Sequence, residues 1–353
     1  MNVLSLFDGM SGARLALEKA DIKVDKYFAS EVDKYAMKVS SSNYPDIVQI
    51  GSVVELSREE LLALGDIDLL IGGSPCQGFS TAGKQKGSST SEGVDVTSLS
   101  QYLELKELGF EFDGQSYLFW EYVRVCKIVK PKYFFLENVR VNKKWLPMFN
   151  EAMGVEPVEI NSALLSAQNR VRYYWTNIPN VTQPDDNGII LKDILEEVVL
   201  DKFALSDSAI NYMDRERNGK PRWEYHRNDI NNKSSTIVAV GYKGVPYGVI
   251  GIPNDSLTKD GKAYALTASY GGAVAWNSIK KRQRSMVSDK ETNEVAPNNV
   301  DGVRYRKLTP VECERLQTVP DNYTSCVSNS QRYKMIGNGF TIDVVAHILK
   351  RMK

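Results

Sequence analysis

Short apolar runs separated by polar, glycine-bearing turns recur through the first half of this chain. Asn2–Phe7 (NVLSLF), Tyr27–Ser30 (YFAS), Val48–Val54, Asp66–Ile71 (DIDLLI) and Lys132–Leu136 (KYFFL) alternate little between apolar and polar positions. Runs of that kind predict strands buried on both faces, as in a parallel sheet. Helical stretches fall between them. An Ala/Leu-rich segment reaches about Ala20, and Ser57 with Glu60 has capping-box spacing before a helix to about Leu64. Ser116 is placed to cap a helix from about Tyr117 to Lys130, where Pro131 stops it, and Trp145–Met153 reads as helical. Two longer strands are predicted at Val158–Leu165 and Val171–Ile178. Strand and helix in alternation predict the α/β class.

The pattern weakens from about Pro179 to Val303, where apolar runs shorten and Asn, Gly, Asp and Lys rise. A second, mostly β or irregular region is predicted there. Ser88–Ser100 (SSTSEGVDVTSLS) is polar, lacks a basic residue and reads as a mobile loop or small insertion. Strong patterning returns at Arg306. Thr309 caps a helix to about Gln317, Ser328–Ile336 forms another, and an amphipathic helix to Arg351 follows Gly337-Asn338-Gly339-Phe340.

At 353 residues the chain can hold one large domain and a smaller one. Its 44 Lys+Arg balance its 44 Asp+Glu, so nucleic-acid binding requires a local basic face rather than an overall excess. Arg215–Arg227 and Lys280–Arg284, interleaved with Trp223, Tyr225, Tyr242, Tyr270 and Trp276, are candidates for one; a solvated face is the plainer reading. No apolar run approaches the ~18 residues of a membrane span. The first residues enter a strand pattern at once, so no signal or transit peptide is expected. Cys76, Cys126, Cys313 and Cys326 lack the paired spacing of a zinc site, and His226 and His347 add none. A reduced, cytoplasmic protein without a bound metal is expected.

The stretch with the most chemistry is Gly72–Ser80, G-G-S-P-C-Q-G-F-S. Two glycines end a predicted strand, Pro75 restricts the backbone, and Cys76 leaves the strand end in a set direction. A cysteine at the carboxyl end of a parallel strand lies where open α/β sheets bind ligands, and its thiolate is a nucleophile. A small residue buried under a turn is the plainer reading of a lone cysteine. Glu137 closes another strand and lies close to Cys76 if the two strands are neighbours. The glycine loop Asp8–Gly12 between strand and helix suits a nucleotide-like ligand, or is simply a tight turn. Glu31, about 20 residues further on, is placed to accept ribose hydroxyls. Arg170 and Arg172, two apart on a predicted strand, share a face and could meet an anion or substrate.

Taken together these stretches resemble the DNA (cytosine-5-)-methyltransferases, in their bacterial or phage form, over nearly the whole chain. L-F-D-G-M-S-G resembles the family's cofactor loop, G-S-P-C-Q-G-F-S its nucleophile loop, Glu137-Asn138-Val139 its second catalytic motif and Q-N-R-V-R its arginine motif. R-K-L-T-P-V-E-C-E-R-L-Q and G-N-G-F resemble its two C-terminal motifs. The resemblance implies a doubly wound, Rossmann-like methyltransferase sheet with a smaller, mostly β or irregular target-recognition domain. Residues 1–179 and 305–353 would form the catalytic domain and 180–304 the target-recognition domain. It implies S-adenosylmethionine as methyl donor, held by Phe7, Asp8, Gly9, Ser11, Gly12, Glu31, Val32, Ser52, Pro75, Leu118 and Asn338. It implies Cys76, Glu137, Arg170 and Arg172 in catalysis and Gln77, Ser80 and Gln168 at the substrate. The expected partner is duplex DNA, bound by a monomer, with a cognate restriction endonuclease as a second partner. Methylation of transfer RNA, and a catalytically inactive DNA-binding accessory protein, are the alternatives. Three departures stand out. Ser52 replaces the family's usual aspartate, the stretch from Lys86 to Tyr117 is longer than usual, and Gly339-Phe340 replaces a small residue and valine.

Overall fold

The computed structural model describes residues 1–75, 79, 88–196, 199–200, 203 and 308–352, with short strand pieces at 216–217, 220–221, 263–264, 287–289, 299–300 and 303–306. Cys76, Gln77 and Ser80, His226, Trp223, Tyr225, Tyr242, Tyr270 and Trp276, and the basic stretch 280–284 lie outside the described residues.

Eight strands organise the described part: β1 (Asn2–Leu6), β2 (Lys26–Ser30), β3 (Val48–Gln49), β4 (Leu69–Gly73), β5 (Tyr133–Val139), β6 (Val158–Asn161), β7 (Gln168–Asn169) and β8 (Val171–Thr176). All but β7 join one sheet in the order β3-β2-β1-β4-β5-β8-β6. β1 to β5 pair in parallel and β8 runs antiparallel to β5. Strand order reverses between β1 and β4, and open α/β sheets bind ligands outside the carboxyl ends at such a switch point. The helices are α1 (Gly12–Lys19), α2 (Lys34–Asn43), α3 (Arg58–Ala63), α4 (Leu99–Glu107), α5 (Leu118–Val129), α6 (Leu146–Met153), α7 (Pro310–Leu316), α8 (Asn329–Asn338) and α9 (Ile342–Leu349). The doubly wound, Rossmann-like expectation is met.

One apolar core joins Leu4, Leu6 and Leu70 of the strands to Phe119, Trp120 and Tyr122 of α5 and Phe149 of α6. Tyr122 crosses under the sheet, its hydroxyl donating to the carbonyls of Phe135 (2.9 Å) and Leu70 (3.3 Å). Gly72 is required at this crossing. A Cβ there would stand 2.7 Å from the Leu6 carbonyl oxygen and 3.3 Å from the Tyr122 ring.

Several elements depart from expectation. Helix α2 was not foreseen; its N-cap is Asp33, whose side chain accepts from Tyr35 and Ala36 N–H, and it buries only Ala36, Val39 and Ser40. β3 has two residues where Val48–Val54 was expected, and β4 starts at Leu69 rather than Asp66. Ser88–Ser100 is not a mobile loop. Ser89 bridges Asp95, Thr90 bridges Phe112, Val96 N–H donates to the Ser88 carbonyl (2.8 Å), and α4 follows. The α5 cap position is Tyr117, not Ser116, with no side-chain cap bond. The strand predicted over Val158–Leu165 ends at Asn161, whose side chain accepts from Ala163 and Arg170 N–H and turns the chain into a short 3₁₀ segment. Among the described residues no helix is long and apolar enough to cross a membrane.

The chain divides into two compact units, Met1–Ile160 with Val171–Gln183 and Val345–Lys353, and Asn161–Arg170 with Pro184–Val344. This cuts the chain elsewhere than 1–179, 180–304 and 305–353. Arg315 of α7 donates to the Ile194 and Leu195 carbonyls, and Gln168 donates to the Leu316 carbonyl, so α7 is tied into the second unit. In the first unit the C-terminal segment is held where the His347 imidazole meets the Thr182 carbonyl at 2.8 Å.

Candidate active site

Strands β4 and β5 are neighbours, with Gly73 opposite Glu137. The carboxylate therefore stands beside the strand end from which Ser74, Pro75 and Cys76 continue. Two anchors hold the ends of that loop. Asn138 Nδ2 donates to the Ser74 hydroxyl (3.1 Å) and carbonyl (3.3 Å). Phe79 is fully buried, packing edge-on against Trp145 and Phe149, while its carbonyl accepts from Asn142 N–H at 3.1 Å. Cys76 lies in the chain between these anchors. The sequence reading missed Phe79; its only signal was a lone aromatic in a stretch of small residues.

Glu137 is nearly buried and meets Arg172 Nε at 2.9 Å. Arg172 pairs in register with Val139, two residues along β5, so the guanidinium reaches Glu137 diagonally across the two strands. Arg170 does not share that face. β8 begins at Val171, so an alternation counted along it stops short of Arg170. Arg170 belongs to the second unit, where its guanidinium donates to the Gly337 (3.3 Å) and Gly339 (2.9 Å) carbonyls. Gln317 donates to the Ile336 (2.9 Å) and Gly339 (3.3 Å) carbonyls, and Gln168, fully buried, donates to Gln317 Oε1 (3.1 Å). These side chains fix the backbone on both sides of Asn338, which is itself exposed at the end of α8. Gln168 and Arg170 thus support the G-N-G-F turn.

The loop after β1 has an uncommon backbone. Phe7 (φ 55°), Gly9 (φ 61°) and Ser11 (φ 61°) all occupy the left-handed region. A bulky residue there is strained by roughly 1–3 kcal/mol, and such strain clusters at ligand sites. Ser11 Oγ donates to Asp8 Oδ2 (2.6 Å) and contacts Ser40 Oγ, and Tyr27 donates to Asp8 Oδ1 (2.7 Å). Glu31 ties this loop to the next, accepting N–H groups from Gly9 (2.7 Å), Val32 (2.7 Å) and Asp33 (2.8 Å). Beside it Val32 is apolar yet 72% exposed. Ser52 follows Gly51 (φ 78°) at the β3 tip, and its carbonyl accepts from Glu55 N–H. Gly12 starts α1, while Pro75 and Leu118 are partly buried, Leu118 against the core at the start of α5.

A family model, C-5 cytosine-specific DNA methylase, matches residues 1–144 and 162–353. The chain belongs to that family. The methylase is 27% identical to the type II methyltransferase M1.ScrFI of Lactococcus lactis subsp. cremoris, across 99% of this chain and 77% of that protein. It is likewise 27% identical to M.HhaI of Haemophilus parahaemolyticus, across 99% of this chain and 93% of the relative. Among solved structures, the S. pombe Dnmt2 methyltransferase superposes with a TM-score of 0.64 at 16% identity, covering 100% of this chain and 98% of that one, a likeness of fold. Methylation of cytosine at carbon 5 in DNA is the methylase's reaction.

Asp8 supplies a pH dependence under the first loop. Burial pushes its carboxyl up to about 6 from 3.8, against hydrogen bonds from Ser11, Ser5 and Tyr27 that lower it. Because the folded value is the higher one, this group's contribution to stability is full below about pH 4 and is lost as pH rises through about 6. Asp8→Asn cannot ionise. Unfolding free energies measured by urea denaturation from pH 4 to 8 should therefore fall less steeply for Asp8→Asn than for the wild type, the difference amounting to up to about 3 kcal/mol.

Proposed function

We propose that the methylase transfers the methyl group of S-adenosylmethionine to a cytosine flipped out of duplex DNA, through a transient bond between Cys76 and carbon 6. The observation that carries this reading is the β4–β5 register, Gly73 opposite Glu137, with Arg172 on the same carboxylate. A base in that place meets an acid at its amine and ring nitrogen 3 and a guanidinium beside it. The donor set after β1 and β2 suits a nucleoside: a carboxylate at Glu31, an exposed apolar side chain at Val32, and a glycine loop with left-handed backbone at Gly9. Phe7, Gly9, Ser11, Gly12, Glu31, Val32, Ser52, Pro75 and Leu118 are the residues that hold the donor in this reading, with Asp8 beneath them.

Bound S-adenosylmethionine supplies an electrophilic methyl group. Carbon 5 of cytosine is too weak a nucleophile to take it unaided. The Cys76 thiolate adds to carbon 6, breaking the ring's aromaticity and leaving an enamine that is nucleophilic at carbon 5. Glu137 shares a proton with ring nitrogen 3, so that negative charge does not build on the ring, and accepts from the exocyclic amine. Arg172 orients Glu137 and faces the base carbonyl. Once carbon 5 carries the methyl group, it loses its proton to a base, the double bond re-forms and the Cys76 sulfur leaves. Gln77 and Ser80 contact the substrate in this reading, and the region within 180–304 reads the major groove, where every base pair is distinguishable. None of this is reachable inside a stacked duplex, so the base is extruded. The protein acts as a monomer in the bacterial or phage-infected cytoplasm, with a cognate restriction endonuclease as its second partner.

The test is transfer of labelled methyl from S-adenosylmethionine to duplex DNA and to transfer RNA in parallel, followed by bisulfite sequencing. Label in carbon 5 of cytosine at one duplex sequence is expected. Label confined to transfer RNA, or none in either, would overturn the proposal.

A further inference from the structure

Helices α4 and α5 close on one buried carboxylate. Glu121 of α5 is fully buried and accepts from Tyr102 Oη (2.5 Å), Lys106 Nζ (2.5 Å) and Arg124 Nε (2.6 Å). A buried carboxylate needs partners of this kind, and two cations with a hydroxyl satisfy it. Neither cation stops at Glu121. Lys106 Nζ also donates to the Val54 carbonyl (3.2 Å), and Arg124 Nη2 to the Val53 carbonyl (2.8 Å).

Val53 and Val54 are the central residues of a turn closed by Glu55 N–H on the Ser52 carbonyl at 3.0 Å. Carbonyls at the centre of a turn have no strand or helix partner, and here both receive one from a cation held by Glu121. On the other side, Ser30 Oγ donates to the Gly51 carbonyl at 2.8 Å. The Ser52 turn is thus gripped from the end of β2 and from the α4–α5 pair. α4 belongs to the long stretch between Lys86 and Tyr117, and Lys106 is the side chain that carries this stretch's influence to the turn.

We propose that Lys106 is a positioning residue for the methyl-donor site, holding the Ser52 turn in place through Val54. The inference rests on the reading of Ser52 as a donor-binding residue. Removing the ammonium leaves Glu121 with Tyr102 and Arg124, so its charge stays compensated, but the Val54 carbonyl loses its donor. The loosened turn must then be ordered when the donor binds. That cost falls on donor affinity and leaves the chemical step alone.

Lys106→Met keeps the aliphatic stem and removes the charge. The KM for S-adenosylmethionine and the Kd for S-adenosylhomocysteine should rise together by about three- to tenfold, while kcat at saturating donor and affinity for duplex DNA stay within about twofold. Lys106→Gln, which retains an N–H donor, should recover part of the loss, and it answers the same question if Lys106→Met does not fold. Tyr102→Phe touches Glu121 but not the turn, and should lower the melting temperature with donor affinity unchanged. Wild-type donor affinity in a folded Lys106 variant would overturn the inference. So would an equal loss in Tyr102→Phe, which would make the cluster merely structural. A wild-type protein that binds no S-adenosylhomocysteine would overturn the donor reading and the inference with it.

Discussion

Glu137→Gln should lower kcat for methyl transfer by about 10²–10⁴-fold, the usual range for losing a positioned proton donor, while binding of duplex DNA and donor should change little. Glutamine keeps the size of the side chain and can still hydrogen-bond the cytosine amine. It cannot share a proton with ring nitrogen 3, so the charge developing on the ring after thiolate addition goes uncompensated. The substitution also takes the anionic partner from Arg172, which pairs with Glu137 at 2.9 Å and keeps the Val171 carbonyl as its other acceptor. Single-turnover transfer on a duplex substrate, with DNA affinity read by fluorescence anisotropy, separates the chemical step from binding. A variant that turns over at the wild-type rate removes Glu137 from the chemistry, whatever its place beside Gly73.

Cys76→Ser should abolish measurable transfer, a loss of about 10³-fold or more. A serine hydroxyl at neutral pH supplies almost no oxyanion, whereas a cysteine thiol with a pKa near ~8.5 is a few per cent thiolate. The anchors on either side of the loop, Ser74 on Asn138 and Phe79 among Trp145 and Phe149, do not involve residue 76. Folding and DNA binding should therefore survive. Duplex DNA containing 5-fluorocytosine has no proton to lose at carbon 5, so the wild type should be trapped as a covalent adduct visible on a denaturing gel and Cys76→Ser should not. Transfer that persists in Cys76→Ser ends the covalent mechanism while leaving family membership intact.

Much of the sheet was legible because buried parallel strands are nearly unbroken apolar runs. Asn2–Leu6, Lys26–Ser30 and Tyr133–Val139 were found to within a few residues. Two helix starts were legible from local chemistry: Ser57/Glu60 forms the reciprocal cap expected, and Thr309 caps its helix as expected, with Glu312 completing a reciprocal cap that had not been read. What was missed had no such signature. Helix α2 buries too few apolar residues to show a period. Ser88, Ser89 and Thr90 are buried although polar, because their segment is held by backbone pairing with Val94–Val96 and Phe112 rather than by apolar side chains. The Glu121 cluster unites side chains from two helices with carbonyls more than fifty residues earlier, a separation at which no local pattern operates.

Residue order alone determined the alternation of strands and helices and the family, the latter through ordered motifs rather than through periodicity. The folded chain decided which strands are neighbours, and with that the meeting of Glu137 and Arg172 at the end of β4. It also gave the two arginines different work, Arg172 on a carboxylate and Arg170 on the Gly337 and Gly339 carbonyls. The reason is physical. Periodicity and caps are local properties written within a few residues, whereas the partner of a buried charge is whichever group the sheet order and the loops bring within hydrogen-bond reach.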